Sequence, residues 1–288
     1  MLYSEIFKSI QGEGHYTGVT TVWLRFFGCN LECNGFGQKD PTDPSTYILP
    51  YQEIDLTDIS VPEQLPVFPY GCDSSYSWSR RFKKIQRKGT SEEVANELYQ
   101  LMYDNRTHVA FTGGEPLMKA GQKNIVGVMN TLADNFTVDN HRGYLTNITF
   151  ETNGTRKLED LLRDQILERT LRDKTEFFFS VSPKIWSTSG EKDRICPDVV
   201  QGYYEVSTVG QLKFVCNGSE QSWDEIEDAV ASFRHSGVRY PIWIMPVGAT
   251  EESQNKDHVA KIAEETMDRG YNVAARVHCY IWGNQIGT

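Results

Sequence analysis

Short apolar runs and amphipathic stretches alternate along most of the chain. The apolar runs have the length and composition of strands, and the other stretches repeat apolar residues every three or four positions. The predicted strands are 21–26, 108–112, 147–151, 176–181, 212–215, 242–245 and 273–277. The predicted helices are 90–102, 121–134, 157–172, 222–233 and 255–269. This alternation predicts an α/β protein with a parallel sheet and helical crossovers.

The strand count indicates the kind of sheet. Roughly six or seven strands are too few for a closed eight-stranded barrel, so we expect an open, partial parallel β/α barrel with about six core strands. The polar stretch at 186–209 is predicted as a loop. A chain of 288 residues is long enough for one domain with a substantial core, and 1–288 is expected to be a single domain.

Polar turns follow four of the predicted strands. They are Gly28 to Cys33, Gly113-Gly114-Glu115-Pro116, Glu151-Thr152-Asn153-Gly154-Thr155 and Ser182-Pro183-Lys184. Active sites of parallel barrels lie at the carboxyl ends of the strands. These turns should therefore converge on one rim of the sheet.

Three cysteines lie in Gly-containing turns. Cys29 and Cys33 directly follow the first predicted strand, and Cys72 lies in Gly71-Cys72-Asp73. Thiolates select iron–sulfur clusters, zinc or copper(I). Our hypothesis is that the three thiols hold three irons of a [4Fe–4S] cluster and leave the fourth iron open. Buried structural cysteines are the alternative interpretation. Another is a zinc-stabilised binding module that takes His15 or Asp73 as a fourth ligand.

Composition narrows the class of protein. The net charge is −10, and only residues 80–88 form a basic cluster, which is interpreted as a solvated face or a contact for an anionic partner. A direct nucleic-acid partner is therefore not expected. No apolar run has the length of a membrane span, and the first residues do not resemble a signal peptide, so a cytoplasmic location is expected. Six cysteines then indicate metal or redox chemistry rather than disulfides.

Two further stretches remain open to more than one interpretation. Residues 4–18 contain glycines around Gln11 and Glu13, which could bond a polar heterocycle or belong to a surface turn. Residues 34–71 contain six prolines and little periodicity. A loop of that length is unusual, so we interpret it as an insertion between the second and third cluster cysteines.

The motifs together resemble the radical S-adenosylmethionine superfamily and, within it, the 7-carboxy-7-deazaguanine synthase family. The resemblance covers nearly the whole chain. Its motifs are Ser9-Ile10-Gln11-Gly12-Glu13-Gly14, Gly28-Cys29-Asn30-Leu31, Cys72-Asp73-Ser74, Thr112-Gly113-Gly114-Glu115-Pro116, Glu151-Thr152-Asn153-Gly154-Thr155, Ser182-Pro183-Lys184, Leu212-Lys213-Phe214-Val215, Met245-Pro246 and Arg276 to Trp282.

The resemblance implies a reaction. A [4Fe–4S] cluster passes one electron to S-adenosylmethionine, which yields a 5′-deoxyadenosyl radical. The radical abstracts hydrogen from 6-carboxy-5,6,7,8-tetrahydropterin, whose ring contracts to 7-carboxy-7-deazaguanine with loss of ammonia. The enzyme would be a lyase of 7-deazapurine and queuosine biosynthesis. The resemblance also implies Mg²⁺, an electron donor such as a flavodoxin and a homodimer.

The resemblance implies roles for matching residues. The cluster ligands would be Cys29, Cys33 and Cys72, and Ser74 would bind Mg²⁺, although the family has threonine there. S-adenosylmethionine would be bound by Gly113, Gly114, Glu115, Glu151, Asn153, Ser182 and Lys184. The substrate would be bound by Gln11, Glu13, Arg25, Thr112 and His278. Without the resemblance, Arg25 would be interpreted as a structural strand residue and His278 as a core histidine.

Two other assignments concern the cluster ligands and the substrate. A rival ligand set would include Cys196, whereas Cys216 and Cys279 are expected to be structural. A glycyl-radical activase would have the same cluster but act on a protein. The colour of the purified protein distinguishes a cluster-containing enzyme from the zinc module, because a reconstituted cluster is brown and a zinc site is colourless.

Overall fold

The computed structural model of the protein describes residues 1–138 and 145–288. Within these ranges the strands are β1 Leu2–Ile10, β2 Thr20–Phe26, β3 Arg87–Lys88, β4 His108–Gly113, β5 Asn147–Thr152, β6 Glu176–Val181, β7 Gly210–Cys216, β8 Ile242–Pro246 and β9 Asn272–Val273. They form one sheet in the order β3-β1-β2-β4-β5-β6-β7-β8-β9. The sheet therefore has two edges, β3 and β9, and the barrel is open.

Most of the sheet is parallel. From β2 to β9 each neighbouring pair is parallel, whereas β1 is antiparallel to both β2 and β3. Six of the parallel strands, β2 and β4 to β8, have five or more residues. The predicted open α/β architecture is confirmed, because six long parallel strands carry the sheet.

Helices connect the parallel strands. Their bounds are α1 Pro50–Glu53, α2 Ser91–Leu101, α3 Lys119–Val138, α4 Asp160–Arg172, α5 Trp186–Ser189, α6 Pro197–Val206, α7 Glu220–His235, α8 Lys256–Asp268 and α9 Val277–Trp282. The start of α2 has a capping box, since the Thr90 side chain accepts from Glu93 N and the Glu93 carboxylate accepts from Thr90 N. In the part of the chain that the structure describes, no helix is long and apolar enough to cross a membrane.

Successive side chains of a strand point to opposite faces of the sheet, and here one face packs against the core while the other faces a cavity. In β7, Leu212 and Phe214 belong to the main hydrophobic core, and Lys213 between them points the other way into a cavity. In β2, Leu24 is a core residue and Arg25 faces the same cavity. The helix-facing side of the sheet is thus apolar, and the opposite face carries charged groups.

Several elements differ from the sequence-based expectations. β1 was not predicted, because its fully buried Ser4 and Glu5 hide the apolar pattern of an internal strand. The expected loop at 186–209 contains α5 and α6, and Pro197 at the first position of α6 is a favourable helix start. The expected strand at 273–277 ends at Val273, and α9 follows.

Three helix starts also differ from the prediction, since α3 begins two residues earlier, α4 three residues later and α7 two residues earlier. α7 was expected to open at Ser222, but it begins at Glu220. Its N-cap is Ser219, whose side chain accepts a hydrogen bond from the Ser222 backbone N–H. That bond satisfies a donor that the first turn of a helix otherwise leaves unpaired.

Residues 34–71 fold against the segment that follows Cys72. They contain α1 and two short 3₁₀ turns, Pro44–Thr46 and Pro62–Gln64. Their apolar side chains form a second hydrophobic cluster with residues from outside the insertion. This cluster consists of Tyr51, Leu65, Phe68, Tyr76, Phe82, Ile85 and Ile286. The packing explains the apparent lack of periodicity, because isolated large side chains rather than regular elements supply the buried surface.

Candidate active site

One cavity at the carboxyl ends of the parallel strands collects almost every predicted site residue. Its volume is about 290 Å³. The predicted residues that line it are Gln11, Glu13, Arg25, Cys29, Cys33, Cys72, Ser74, Thr112, Gly113, Gly114, Glu151, Asn153, Ser182, Lys184 and His278. Glu115 is not part of the wall. The expected convergence of the polar turns on one rim is therefore observed.

The three cysteine thiols share this cavity. Burial raises the pKa of Cys29 to about 12 and that of Cys72 to about 11, and it raises the pKa of Cys33 well above its usual range. The thiols are therefore protonated in the metal-free protein, so binding of a metal group must release protons. Three thiols that line one cavity suit a soft metal group that keeps one position open.

The remaining cysteines lie elsewhere. Cys196 precedes α6 and does not line the cavity, Cys216 contacts Ser222 Oγ at 3.3 Å, and Cys279 contacts the Ala249 carbonyl at 3.8 Å. Across residues 1–138 and 145–288, no group of three or more His, Cys, Asp or Glu side chains could hold a single metal ion. Cluster ligands differ from such a group, because each thiolate binds a different iron.

The turn after β4 packs directly on residues 28–33, the loop that carries Cys29 and Cys33 and is called the cysteine loop below. A Cβ atom on Gly114 would lie 2.4 Å from the Gly28 carbonyl oxygen and 2.8 Å from Cys29 Cβ. Only glycine allows the two backbones to approach this closely. The turn therefore fixes where Cys29 stands relative to the end of β4.

Glu115 supports the cavity from behind. Its carboxylate accepts hydrogen bonds from Leu117 N at 2.9 Å, Thr152 Oγ1 at 2.8 Å and Asn153 N at 2.7 Å. Burial raises the pKa of this carboxyl group, and the three donors only partly oppose that effect. Glu115 joins the turns after β4 and β5 and so positions Asn153.

Two polar turns complete this side of the cavity. Asn153 Nδ2 lies 3.9 Å from Cys29 Sγ, and Asn153 Oδ1 accepts from Thr155 Oγ1 at 2.6 Å. Lys184 Nζ donates to Ser182 Oγ at 2.8 Å and lies 5.5 Å from the ring centre of Phe36. A cation and several polar groups therefore stand beside the three thiols.

The loop between β1 and β2 crosses the inner face of the sheet. Gln11 Nε2 donates to Glu151 Oε1 at 2.9 Å, and His15 N donates to Gln211 Oε1 at 3.0 Å. A Cβ atom on Gly12 would lie 1.9 Å from His278 Nδ1, so the glycine is needed for this close contact. Within residues 4–18, Gln11 and Glu13 face the cavity, whereas His15, Thr17 and Gly18 lie in the exposed part of the same loop.

Glu13 is the centre of a buried charge network. Its carboxylate is 2.6 Å from Lys213 Nζ, 2.9 Å from Arg276 Nε and 3.9 Å from His278 Nε2. Burial would raise the pKa of Glu13, but Lys213 and Arg276 outweigh it and hold the pKa below its usual range. Glu13 is thus an ionised acceptor, while burial lowers the pKa of His278 and keeps its imidazole neutral.

A second network surrounds Arg25. Its Nε donates to Glu5 Oε1 at 2.5 Å, and its Nη1 donates to Ser74 Oγ at 3.1 Å. The Tyr76 hydroxyl also donates to Glu5 Oε1, at 2.7 Å. Burial alone would lower the pKa of Arg25, but the nearby Tyr76 and Glu5 outweigh that effect and raise the pKa above its usual value. The guanidinium therefore stays charged in the cavity wall. Arg276 Nη2 links the two networks through Asp73 Oδ2 at 2.6 Å.

Sequence reasoning missed Lys213, Arg276 and Glu5 as parts of the site. The signal for Lys213 was available, because every residue of β7 is buried and a charged side chain there requires a partner. Arg276 was assigned to a strand, and Glu5 lies in a strand that was not predicted. Their partners are distant in sequence, so only the fold reveals the pairings.

The chain is similar to known proteins over nearly its whole length. No family model matches the chain. The protein from Pyrobaculum aerophilum named 7-carboxy-7-deazaguanine synthase is 25% identical over 286 residues, which cover 98% of this chain and 95% of that protein. The protein of the same name from Rhodopirellula baltica is 25% identical over 301 residues, which cover 100% of this chain and 89% of that protein.

A solved structure has the same fold. The crystal structure of QueE from Escherichia coli aligns with a TM-score of 0.54 at 18% identity and covers 96% of this chain and 94% of that chain. At this identity the likeness bears on the fold alone. The resemblance inferred from the motifs is confirmed by the curated relatives, which match the chain over nearly its whole length.

Proposed function

We propose that this chain acts as a 7-carboxy-7-deazaguanine synthase, a radical S-adenosylmethionine lyase. It would contract the ring of 6-carboxy-5,6,7,8-tetrahydropterin to 7-carboxy-7-deazaguanine and release ammonia. The observation that carries the proposal is the cavity itself, which is lined by three thiols, a Gly-Gly turn and an ionised carboxylate. Full-length similarity to curated proteins of that name supports it.

The cavity suits an iron–sulfur cluster beside S-adenosylmethionine. Cys29, Cys33 and Cys72 would hold the cluster, because soft thiolates are its usual ligands. The close approach at Gly114 leaves backbone groups rather than a side chain beside Cys29. Together, the bound cluster and S-adenosylmethionine would supply the one-electron chemistry, and the protein would orient the reactants and exclude water.

S-adenosylmethionine would lie along the turns after β4, β5 and β6. The backbone of Gly113 and Gly114 would bond its amino group, and Glu151 and Ser182 would bond its ribose and carboxylate. Asn153 and Lys184 complete the polar wall at that position. Glu115 would act as a positioning residue, since its carboxylate already accepts three hydrogen bonds.

The pterin would lie against the loop between β1 and β2. Ionised Glu13 suits the N–H donors of a pterin edge, and Gln11 and Thr112 add neutral partners. The Arg25 guanidinium offers a fork for the 6-carboxylate, and neutral His278 adds a further donor or acceptor. Lys213 and Arg276 would keep Glu13 charged and in place.

Mg²⁺ would bind at Ser74. Ser74 Oγ faces the cavity, as a hard-cation ligand should. It accepts from Arg25 Nη1 at 3.1 Å and lies 3.3 Å from Asp73 Oδ1. Mg²⁺ bound to this hydroxyl oxygen would lie next to the Arg25 guanidinium, and charge repulsion would favour movement of Arg25 away from Ser74.

The biological setting is proposed from the resemblance. The product would enter 7-deazapurine and queuosine biosynthesis in the cytoplasm. A reduced flavodoxin would donate the electron, and the enzyme would act as a homodimer without binding nucleic acid directly. The residues at 1–288 would form one domain that carries the 34–71 insertion.

An anaerobic turnover assay tests the proposal. Reconstituted protein is mixed with S-adenosylmethionine, dithionite, Mg²⁺ and 6-carboxytetrahydropterin, and products are identified by mass spectrometry. The proposal predicts 7-carboxy-7-deazaguanine together with 5′-deoxyadenosine. If only 5′-deoxyadenosine formed, the substrate assignment would be wrong. A colourless protein that takes up zinc but no iron would instead favour the zinc module.

A further inference from the structure

The cysteine loop is held from outside by the turn that follows α5. Glu191 Oε1 accepts a hydrogen bond from Glu32 N at 2.8 Å and another from Cys33 N at 2.9 Å. Cys33 has a φ of 51°, a left-handed conformation that residues other than glycine rarely adopt. One carboxylate oxygen therefore satisfies two successive backbone donors at the residue of this loop that needs support most.

A second contact reinforces the first. Gly35 N donates to the Ser189 carbonyl at 3.0 Å, so the turn is hydrogen-bonded to the chain both before and after Cys33. The turn is itself fixed, because Ser189 Oγ accepts from Glu191 N at 3.2 Å. The Glu191 side chain is 15% exposed, and its second oxygen pairs with Arg194 Nε at 3.5 Å. The carboxylate is thus oriented before any cofactor arrives.

We propose that Glu191 is a positioning residue for the iron–sulfur cluster, which it serves by holding Cys33 in the conformation that presents its thiol to the cavity. The inference rests on the proposed function, since it concerns the cluster that Cys33 would bind. The residue was not recognised from the sequence, because residues 186–209 were expected to form a polar loop.

The charge of Glu191 has a second consequence. Reduction of a cluster adds negative charge, which a nearby carboxylate opposes. Glu191 also occupies the N–H groups of Glu32 and Cys33, which are then not free to bond cluster sulfurs. Fewer such hydrogen bonds and more negative charge both lower a cluster's reduction potential. Glu191 should therefore keep the potential of this cluster low.

Hydrogen exchange of the cluster-free protein tests the contact itself. Glu191→Ala should speed exchange of the Glu32 and Cys33 amides at least about tenfold, because hydrogen bonds to charged groups are among the stronger ones. Glu191→Gln keeps an acceptor oxygen and should show a smaller increase. The control is Asp193→Asn, which removes an exposed charge from the same turn and should leave these amides unchanged.

The reconstituted protein tests the role toward the cluster. Glu191→Ala should release iron to a chelator roughly 10-fold faster, as is typical when a group that orients a metal ligand is lost. Glu191→Gln should retain the cluster and raise its reduction potential, measured by an electron paramagnetic resonance titration. A purely structural role would leave the potential of that variant unchanged.

The outcomes separate this inference from the proposed function. If wild-type protein binds the cluster but Glu191→Ala matches it in amide exchange and iron release, the inference is wrong and the function stands. An unchanged potential in Glu191→Gln would refute the charge effect. If wild-type protein takes up no cluster at all, the proposed function fails and the inference fails with it.

Discussion

Replacement of Lys213 tests whether the buried charge network stabilises the fold. The side chain is 5% exposed and stands 2.6 Å from Glu13 and 3.5 Å from Glu151. Lys213→Met keeps much of the apolar stem but leaves two carboxylates short of a partner. Removing one member of a buried ion pair costs about 3–5 kcal/mol.

The expected loss lies at the lower end of that range. Glu13 retains Arg276 at 2.9 Å, and Glu151 retains Gln11 at 2.9 Å. We therefore expect Lys213→Met to lower the free energy of unfolding by about 3 kcal/mol, which is more than a hundredfold change in the unfolding equilibrium. Urea denaturation of the cluster-free protein, followed by tryptophan fluorescence, measures this change.

A double-mutant cycle separates the ion pair from simple packing. Adding Glu13→Gln to Lys213→Met should cost less than Glu13→Gln costs alone, because the uncompensated charge is gone. Lys261→Met is the matched control, since Lys261 is 68% exposed and its carboxylate partner lies 3.9 Å away. That control should change stability by less than about 0.5 kcal/mol. Additive costs at Lys213 and Glu13, or a loss below about 1 kcal/mol, would refute the network.

Three further predictions concern His108, Gly114 and Ser74. Burial lowers the pKa of His108 from 6.5 to about 4, so between these pH values the unfolded chain binds more protons than the folded protein. The free energy of unfolding should therefore fall by up to about 3 kcal/mol as the pH drops from 6.5 to 4. His108→Gln should remove this pH dependence, so that its urea midpoint changes little between pH 6.5 and 4. If the variant and the wild type showed the same pH dependence, His108 would not be its cause. Gly114→Ala should lower stability by about 1–3 kcal/mol and reduce iron loading, whereas Gly202→Ala, with open space around its Cα, should do neither. Ser74→Ala should abolish the rate increase on adding Mg²⁺ and leave cluster absorbance unchanged, and a retained Mg²⁺ response would remove Ser74 from the metal site.

The parallel strands and their terminal turns could be predicted because they are local signals. A short apolar run such as 176–181 identifies a buried strand by itself. Because parallel strands end at one edge, the turns that carry Cys29, Gly114 and Asn153 could be assigned to one site before the fold was known. Elements of this kind need no knowledge of distant partners.

The remaining features depend on long-range pairing. Glu5 looks like a surface residue until Arg25 and Tyr76 are placed beside it, and this hid β1. The partners of Glu13 lie 200 and 263 positions away in the chain. Glu191 is also distant from the loop that it supports. No local pattern encodes such contacts, so the charge networks and the loop support required the structure.

Cys29, Cys33 and Cys72 are proposed to hold the cluster that drives pterin conversion. The most direct test is formation of 7-carboxy-7-deazaguanine by wild-type protein, Cys72→Ala and Cys196→Ala, with iron content measured on the same samples. Cys72→Ala is expected to lose both the product and cluster iron, whereas Cys196→Ala should keep both. Loss in Cys196→Ala with retention in Cys72→Ala would contradict the ligand assignment.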